Sequence, residues 1–338
     1  MEIDKKYMRR ALRLARKGMP YVSPNPYVGC VIVTPDGAIL GEGYHRRCGG
    51  PHAEVNAINS VADKERLKDS TMYVTLEPCS HTGRTGPCAD LIIKCGIPRV
   101  VVGMPDPFSS VNGRGIDKLR AAGVEVEVGV MEHECRASNV IFYTAHTNHR
   151  PFVCLKWAQS ADGYLDMARD LTTPPPSISS PITKMLTHRL RALFDTILVG
   201  SGTVLADNPQ LNNRLWVGNS PKPIILDRRG RVTSEYKIME ADPWIIRDDK
   251  PLREILTDIY NRGYTSLLVE GGRQVLEMFI REGLWDIIRI ETGAVAFGEF
   301  GTVKAPHFSG YEPVSNITIE GQTIKYYNYS PILSVKNI

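Results

Sequence analysis

At 338 residues, with 42% hydrophobic and 23% charged side chains, the chain has the makeup of a globular protein too long for one hydrophobic core, so two domains are expected. A formal net charge of +4 and a pI near 8.6 suit anionic small molecules and are too diffuse to argue for a nucleic-acid partner. No apolar run reaches the roughly 18–20 residues of a membrane span and no signal-peptide core opens the chain, so a cytoplasmic protein without a membrane partner is expected.

The chain opens with "MEIDKKYMRRALRLARKG", in which Met8, Ala11, Leu12 and Ala15 fall on one helical face. The acidic residues among the basic ones favour a helix packed on a core over a targeting segment. The runs "VGCVIVT", "TMYVTL" and "RVVVGM" then alternate with helical "AEVNAINSVA" and "GIDKLRAAG", which predicts an α/β domain, a sheet covered by helices. Polar "YTAHTNHRP" interrupts the series and "FVCLKWA" begins another, so domains are expected over residues 1–146 and 147–338. The second repeats the rhythm: "DTILVG", "KPIILD", a helix over 252–262, "SLLVEGG", a helix to 282 and "WDIIRIET". Two strands joined at "EGQ" are predicted within "SNITIEGQTIKYYNYS", and "TTPPPS" at 172–177 reads as a rigid loop. Seven cysteines, at 30, 48, 79, 88, 95, 135 and 154, are an odd number and read as reduced thiols.

Chemistry concentrates first in "PHAEVNAI", where His52 and Glu54 straddle one residue at a helix start, so the imidazole can bind a metal while the carboxylate reaches a water on it. Pro78-Cys79 and Pro87-Cys88 follow, with eight residues between the cysteines where a zinc-binding pair usually has two to four. A zinc deaminase needs one histidine and two thiolates as ligands, an open position for water, and a glutamate that is not a ligand. His52, Cys79, Cys88 and Glu54 supply these in order, provided "SHTGRTG" bulges as a loop and Cys88 opens a helix. A lone H-x-E or cysteine pair is usually structural. Their joint occurrence, each cysteine behind a proline, favours one zinc per chain. The rival, a structural zinc with His81 as fourth ligand, leaves Glu54 without a task.

The second half has no zinc pattern and no G-x-G-x-x-G. "VGSGTVLADNPQLNNR" follows a strand with glycines and a threonine able to approach a phosphate, then offers Asp207 and Arg214. "LLVEGGRQVLEMF" ends a strand in a glycine pair and starts a helix whose first amides suit phosphate. Either junction alone reads more readily as an ordinary turn; two in one domain favour a dinucleotide. Arg191 in "THRLRA" reads, on its own, as a solvated helix charge.

"SPNPYVGCVIV", "GEGYH", "PHAEVNAI", "TLEPCSHTGRTGPC" and "DPFSSVNGRGI" resemble the deaminase half of the bifunctional riboflavin-biosynthesis deaminase/reductase family. "RPFVCLKWAQSADG", "HRLRALFDTILVGSGTVLADNP" and "LLVEGG" resemble its reductase half, and the likeness runs from about residue 5 to 335. It implies a cytidine-deaminase-like α/β/α domain followed by a dihydrofolate-reductase-like α/β domain using NADPH. It further implies that Asn25 and His45 line the pyrimidine pocket, with the loop around Arg84 facing substrate. By matched positions Ala158, Thr203, Asp207, Gly272, Arg273, Gln274, Val275, Leu276, Glu277 and Met278 meet the cofactor, while Arg191, Leu211, Arg214 and Glu270 meet a phosphosugar. The chain departs from the family pattern at Gly86 (usually Pro), at "DPFS" (usually "DPNP"), and at Pro175 and Ser177, which replace a Ser-x-Trp pair.

The implied function is zinc-dependent deamination of a phosphoribosylaminopyrimidine followed by NADPH-dependent reduction of its ribosyl group, in a homo-oligomer whose partner is that small molecule. Two rivals are a nucleoside or tRNA deaminase with a non-catalytic C-terminal domain, and a non-enzymatic zinc module joined to a nucleotide sensor. Residues 1–146 carry 19 Lys/Arg against 16 Asp/Glu, too even a balance for a polyanionic substrate.

Overall fold

The computed structural model describes residues 2–80, 86–108, 113–170 and 173–328. The loop residues 81–85, with the rival ligand His81 and the substrate-facing Arg84, lie outside them. The chain divides into two units, Met1–Asn148 and His149–Ile338.

In the first unit the predicted amphipathic helix is α1 (Glu2–Ala15), which buries Met8, Ala11, Leu12 and Ala15. Next come β1 (Gly29–Val33), β2 (Ile39–Tyr44), α2 (Ala53–Ser60), β3 (Thr71–Val74), α3 (Cys88–Lys94) and β4 (Arg99–Val102). The unit ends with α4 (Arg114–Ala121), β5 (Glu125–Val128), α5 (Glu132–Ser138) and α6 (Val140–Asn148). The sheet order is β2-β1-β3-β4-β5. β1 runs antiparallel to both neighbours, and β3, β4 and β5 are parallel. β1 and β4 bury almost every residue on both faces, as an inner strand between helical layers must. Helix α2 lies unusually close to β2. A Cβ on Gly43 would stand 2.3 Å from the Ala57 amide nitrogen and 2.4 Å from the Ala53 oxygen, so glycine alone permits the contact that sets His52 and Glu54 against the sheet.

The polar segment expected to interrupt the chain is instead the end of α6. Val140 and Ala145 of that helix are buried, and His146 packs edge-on against Phe142, with ring centroids 4.4 Å apart. The helix stops at His149, whose φ of 51° is left-handed, two residues before Pro151. Composition suggested a linker; the Phe142–His146 ring contact, one turn apart, is a contact that only a helix makes.

The second unit contains β6 (Phe152–Gln159), β7 (Tyr164–Met167), α7 (Pro181–Arg191), β8 (Thr196–Gly200), α8 (Ser201–Asp207), β9 (Lys222–Leu226) and β10 (Trp244–Ile246). It continues with α9 (Leu252–Asn261), β11 (Ser266–Val269), α10 (Arg273–Arg281), β12 (Ile287–Thr292), β13 (Gly301–Lys304), β14 (Ser315–Ile319) and β15 (Gln322–Asn328). Eight strands form one sheet in the order β10-β9-β8-β11-β6-β12-β15-β14. The first six are mutually parallel and β15 and β14 antiparallel, while β7 and β13 make a separate ribbon that periodicity did not predict. Both glycine-rich junctions lie at carboxyl ends of adjacent central strands, β8 and β11, where open α/β sheets bind ligands.

Candidate active sites

In the first unit His52 caps α2 in extended conformation and Glu54 occupies the first turn, buried. Cys88 opens α3, and its amide N–H donates to Cys79 Sγ at 3.4 Å, the polarity that favours a thiolate at a helix N-terminus. His52 Nδ1 lies 3.5 Å from Cys79 Sγ and 3.3 Å from Cys88 Sγ. Those separations suit zinc, since the edge between an imidazole nitrogen and a thiolate sulfur in a tetrahedral zinc site is about 3.5 Å. Among the described residues this trio is the cluster able to hold a metal, its ligand atoms all within 4.8 Å of one another.

Glu54 is not one of the three candidate ligands, although its carboxyl reaches the Cys88 thiol. Burial pushes its carboxyl up to about 7, against the opposing charge of His52. A group that titrates near neutrality can both take and return a proton. The Asn25 side-chain nitrogen meets His45 Nε2 at 3.2 Å, and His45 Nδ1 meets the Pro51 carbonyl at 3.1 Å. Burial lowers the His45 pKa, and a neutral ring protonated at Nδ1 satisfies both partners. The His45 and His52 rings stand edge to face, centroids 5.5 Å apart, so Asn25 and His45 adjoin the metal cluster.

Glu77, two residues before a ligand, escaped the sequence reading. Its buried carboxylate accepts N–H bonds from Asp106 (3.1 Å), Gly113 (3.0 Å), Gly115 (2.9 Å) and Ile116 (3.3 Å), tying the chain around "DPFS" to the turn that carries Cys79. The only trace in sequence was a glutamate before Pro-Cys.

In the second unit a cavity of about 990 Å³ opens at the ends of β6, β8 and β11. Ala158, Thr203, Asp207 and Gly272 line it, followed by Arg273, Gln274, Val275, Leu276 and Met278 of α10. The two glycine-rich junctions are directly joined, Gly272 N–H donating to Thr203 Oγ1 at 2.8 Å. Glu277 does not line the cavity; it pairs with Arg273 at 2.7 Å, one helical turn away. Arg169, unremarked in the sequence, holds Asp207 at 2.7 Å and also meets Asp166.

Arg191 is not the solvated helix charge that its surroundings in sequence suggested. It is buried, with Nε and Nη2 on the two Glu270 oxygens at 2.9 and 2.8 Å and Nη1 on the Asn212 carbonyl at 3.0 Å. Burial by itself would raise Glu270, but Arg191 and Lys156 hold it down to about 2. Lys156 is buried beside them with a lowered pKa, chiefly from desolvation. Leu211, Arg191, Arg214 and Asp207 line a smaller adjoining cavity of about 330 Å³, while Glu270 and Asp207 face the larger one. Arg214 is exposed, and its backbone N–H donates to His188 Nδ1 at 3.1 Å. His188 is lowered to about 4 by burial and by the Arg191 and Arg214 charges, which keeps that nitrogen an acceptor.

A turn after β9 was also missed. Asp227, fully buried, accepts the N–H groups of Arg231 and Val232 and so fixes the turn whose Arg228, Arg229 and Arg231 line the large cavity.

Residues 1–104 match the cytidine and deoxycytidylate deaminase zinc-binding region, and residues 151–319 match the RibD C-terminal domain. The chain is 40% identical over 322 residues to riboflavin biosynthesis protein RibD of Aquifex aeolicus, covering 88% of this chain and 89% of that one. It is 41% identical over 267 residues to RibD of Escherichia coli, covering 74% and 71%. Acinetobacter baumannii RibD superposes with a TM-score of 0.88 at 31% identity, covering 97% of this chain and 99% of that one. A diaminohydroxyphosphoribosylaminopyrimidine deaminase/5-amino-6-(5-phosphoribosylamino)uracil reductase from Thermotoga maritima superposes with a TM-score of 0.86 at 34% identity, with the same coverage.

Proposed function

Because the chain belongs to the RibD family of riboflavin biosynthesis proteins, we propose that residues 1–146 deaminate 2,5-diamino-6-(5-phosphoribosylamino)pyrimidin-4-one and residues 147–338 reduce the ribosyl group to ribityl. The product is 5-amino-6-(5-phosphoribitylamino)uracil. The observation that carries this reading is a three-ligand metal cluster with a separate buried glutamate in one unit and two joined glycine-rich strand ends over a large cavity in the other. The family assignment displaces the tRNA-deaminase and zinc-sensor alternatives.

His52, Cys79 and Cys88 would hold zinc, which when bound would lower the pKa of a water towards neutrality and act as a Lewis acid. Glu54 would carry one proton of the attacking water to the ring nitrogen and then the remaining hydroxyl proton to the leaving amine, so ammonia departs and a carbonyl remains. Asn25 and His45 fix the pyrimidine beside it. In the reductase NADPH supplies hydride to the sugar C1. Thr203, Gly272 to Leu276 and Met278 would line the cofactor's place, and Arg191, Leu211, Arg214 and Glu270 that of the phosphosugar. Purified protein given the diamino compound should release ammonia without NADPH and oxidise NADPH only after deamination. Failure of both steps would overturn the reading. Among the described residues no helix is long and apolar enough to cross a membrane, and we place the enzyme in the cytoplasm as a homo-oligomer acting on this small molecule.

The first prediction concerns metal content. The protein should carry one zinc per chain, and Cys79→Ser should lose it by elemental analysis, because two remaining ligands cannot close the site. Undiminished zinc in that variant would refute the ligand set.

The second concerns cofactor choice, since NADP bears a 2′-phosphate that NAD lacks. Of the cations lining the cavity, Lys156 is buried beside Glu270, Arg273 is paired with Glu277 and Lys184 donates to Ser177. The remaining three sit together on the Arg228–Arg231 turn, where Arg228 makes only a solvent-exposed pair with Asp249 at 2.9 Å, weak enough for a phosphate to displace, and Arg231 reaches Ser201 at the start of α8. Replacing both Arg228 and Arg231 by Ala should raise KM for NADPH about tenfold, the worth of one or two partly exposed charge-assisted bonds, and leave KM for NADH unchanged. Equal loss with both cofactors would show that the turn does not read the phosphate.

A further inference from the structure

The stretch between Pro175 and α7 forms one wall of the reductase cavity, with Ser177, Ile178 and Ser179 facing it. It belongs to no strand, and it is where the chain departs from the family pattern at Pro175 and Ser177. Its hold comes from across the domain. Gln322, the first residue of β15, donates from Nε2 to the Ile178 carbonyl at 2.7 Å. Its Oε1 accepts from the Ser180 amide at 3.0 Å and from Thr183 Oγ1 at 2.7 Å. Gln322 is only 6% exposed and Thr183 is fully buried, so water cannot replace these bonds cheaply. The arrangement is directional: turning the amide over would set its N–H₂ against the Ser180 N–H and its oxygen against the Ile178 carbonyl. The β14–β15 turn at Glu320 and Gly321, with φ of 49° and 76°, pairs Ile319 with Gln322 and so fixes where the amide emerges.

An independent feature acts on the same residue. A Cβ on Gly293, just past β12, would lie 2.9 Å from Ile178 Cγ2 and 3.0 Å from the Ile178 oxygen. The absence of a side chain there is what lets the wall lie against the strand end.

We propose that Gln322 is a positioning residue of the reductase, clamping the wall Ile178–Thr183 against the strand end at Gly293 and so setting the width of the cavity that receives NADPH. Gln322 does not itself line that cavity. The inference rests on the reductase reading above.

Two variants disturb the clamp from opposite sides: Gln322→Leu removes all three bonds at similar volume, and Gly293→Ala pushes Ile178 from the strand end while keeping the Gln322 side chain. NADPH binding by fluorescence titration, steady-state oxidation with deaminated substrate and thermal midpoints are measured for both and for the parent enzyme. Each variant should raise the NADPH dissociation constant and KM about fivefold or more, the worth of roughly one net hydrogen bond, with kcat held within about twofold. Gln322→Glu, which keeps the two accepted bonds but sets a carboxylate oxygen against the Ile178 carbonyl, should raise the NADPH dissociation constant at least as much as Gln322→Leu. If Gln322→Leu does not fold, Gly293→Ala decides. Unchanged NADPH affinity and KM in the folded variants, whatever the thermal midpoint, would reduce Gln322 to structural support and overturn the proposal. A parent enzyme that neither binds nor oxidises NADPH would instead overturn the reductase reading beneath it.

Discussion

Glu54→Gln should lower deamination by about 10²–10⁴-fold, the usual worth of a positioned general acid/base, while zinc content and thermal midpoint stay at their parent values. The side chain is buried and outside the metal trio, so an amide of the same shape fills its place without removing a ligand. What it loses is the proton that a carboxyl near 7 can carry from water to leaving amine. Reduction should survive, since Arg191, Arg214 and Glu270 belong to the other unit. Given deaminated phosphoribosylaminouracil and NADPH, the variant should oxidise the cofactor at nearly the parent rate. Loss of both activities with zinc and fold intact would replace two sites by one composite site.

Arg191→Ala should have the larger structural effect. It leaves Glu270, its side chain only 9% exposed, without its bidentate partner, and breaking such a pair from one side typically costs about 3–5 kcal/mol when buried. The reductase unit should melt earlier and reduction should be lost, while ammonia release continues. The pair also gives the parent a pH signature. Glu270 falls from an ordinary 4.5 to about 2 in the folded unit, so its contribution is complete above about pH 4.5 and is lost as pH falls towards 2. Arg191→Ala should weaken that acid dependence, with the Lys156 charge still lowering Glu270. Arg214→Ala, by contrast, truncates an exposed side chain whose guanidinium meets only Asn212, at 2.8 Å among the described residues. It should weaken reduction with no loss of stability. Equal thermal midpoints for Arg191→Ala and the parent would mean that the pair contributes nothing to the fold.

The deaminase centre was legible in the sequence because its parts are short local words: His52 and Glu54 on one helix turn, and each cysteine behind a proline where a strand or loop meets a helix. Short continuous β-rich runs and a period-3.6 pattern likewise gave the core strands and α1, since burial on both faces of a strand or one face of a helix is written in neighbouring residues. The glycine-rich junctions were equally visible, and so was the family resemblance. What sequence could not supply were partners many residues apart. Arg191 read as a surface charge until the chain brought Glu270, 79 residues on, against it. Glu77 meets backbone up to 39 residues away, and Gln322 meets Ile178 across 144. Such contacts leave no local pattern, because a polar residue in solvent and one buried against a distant amide have the same neighbours in sequence. Only tertiary packing, by removing water from Arg191, Glu77 and Gln322 alike, decided which polar side chains hold the two sites in shape.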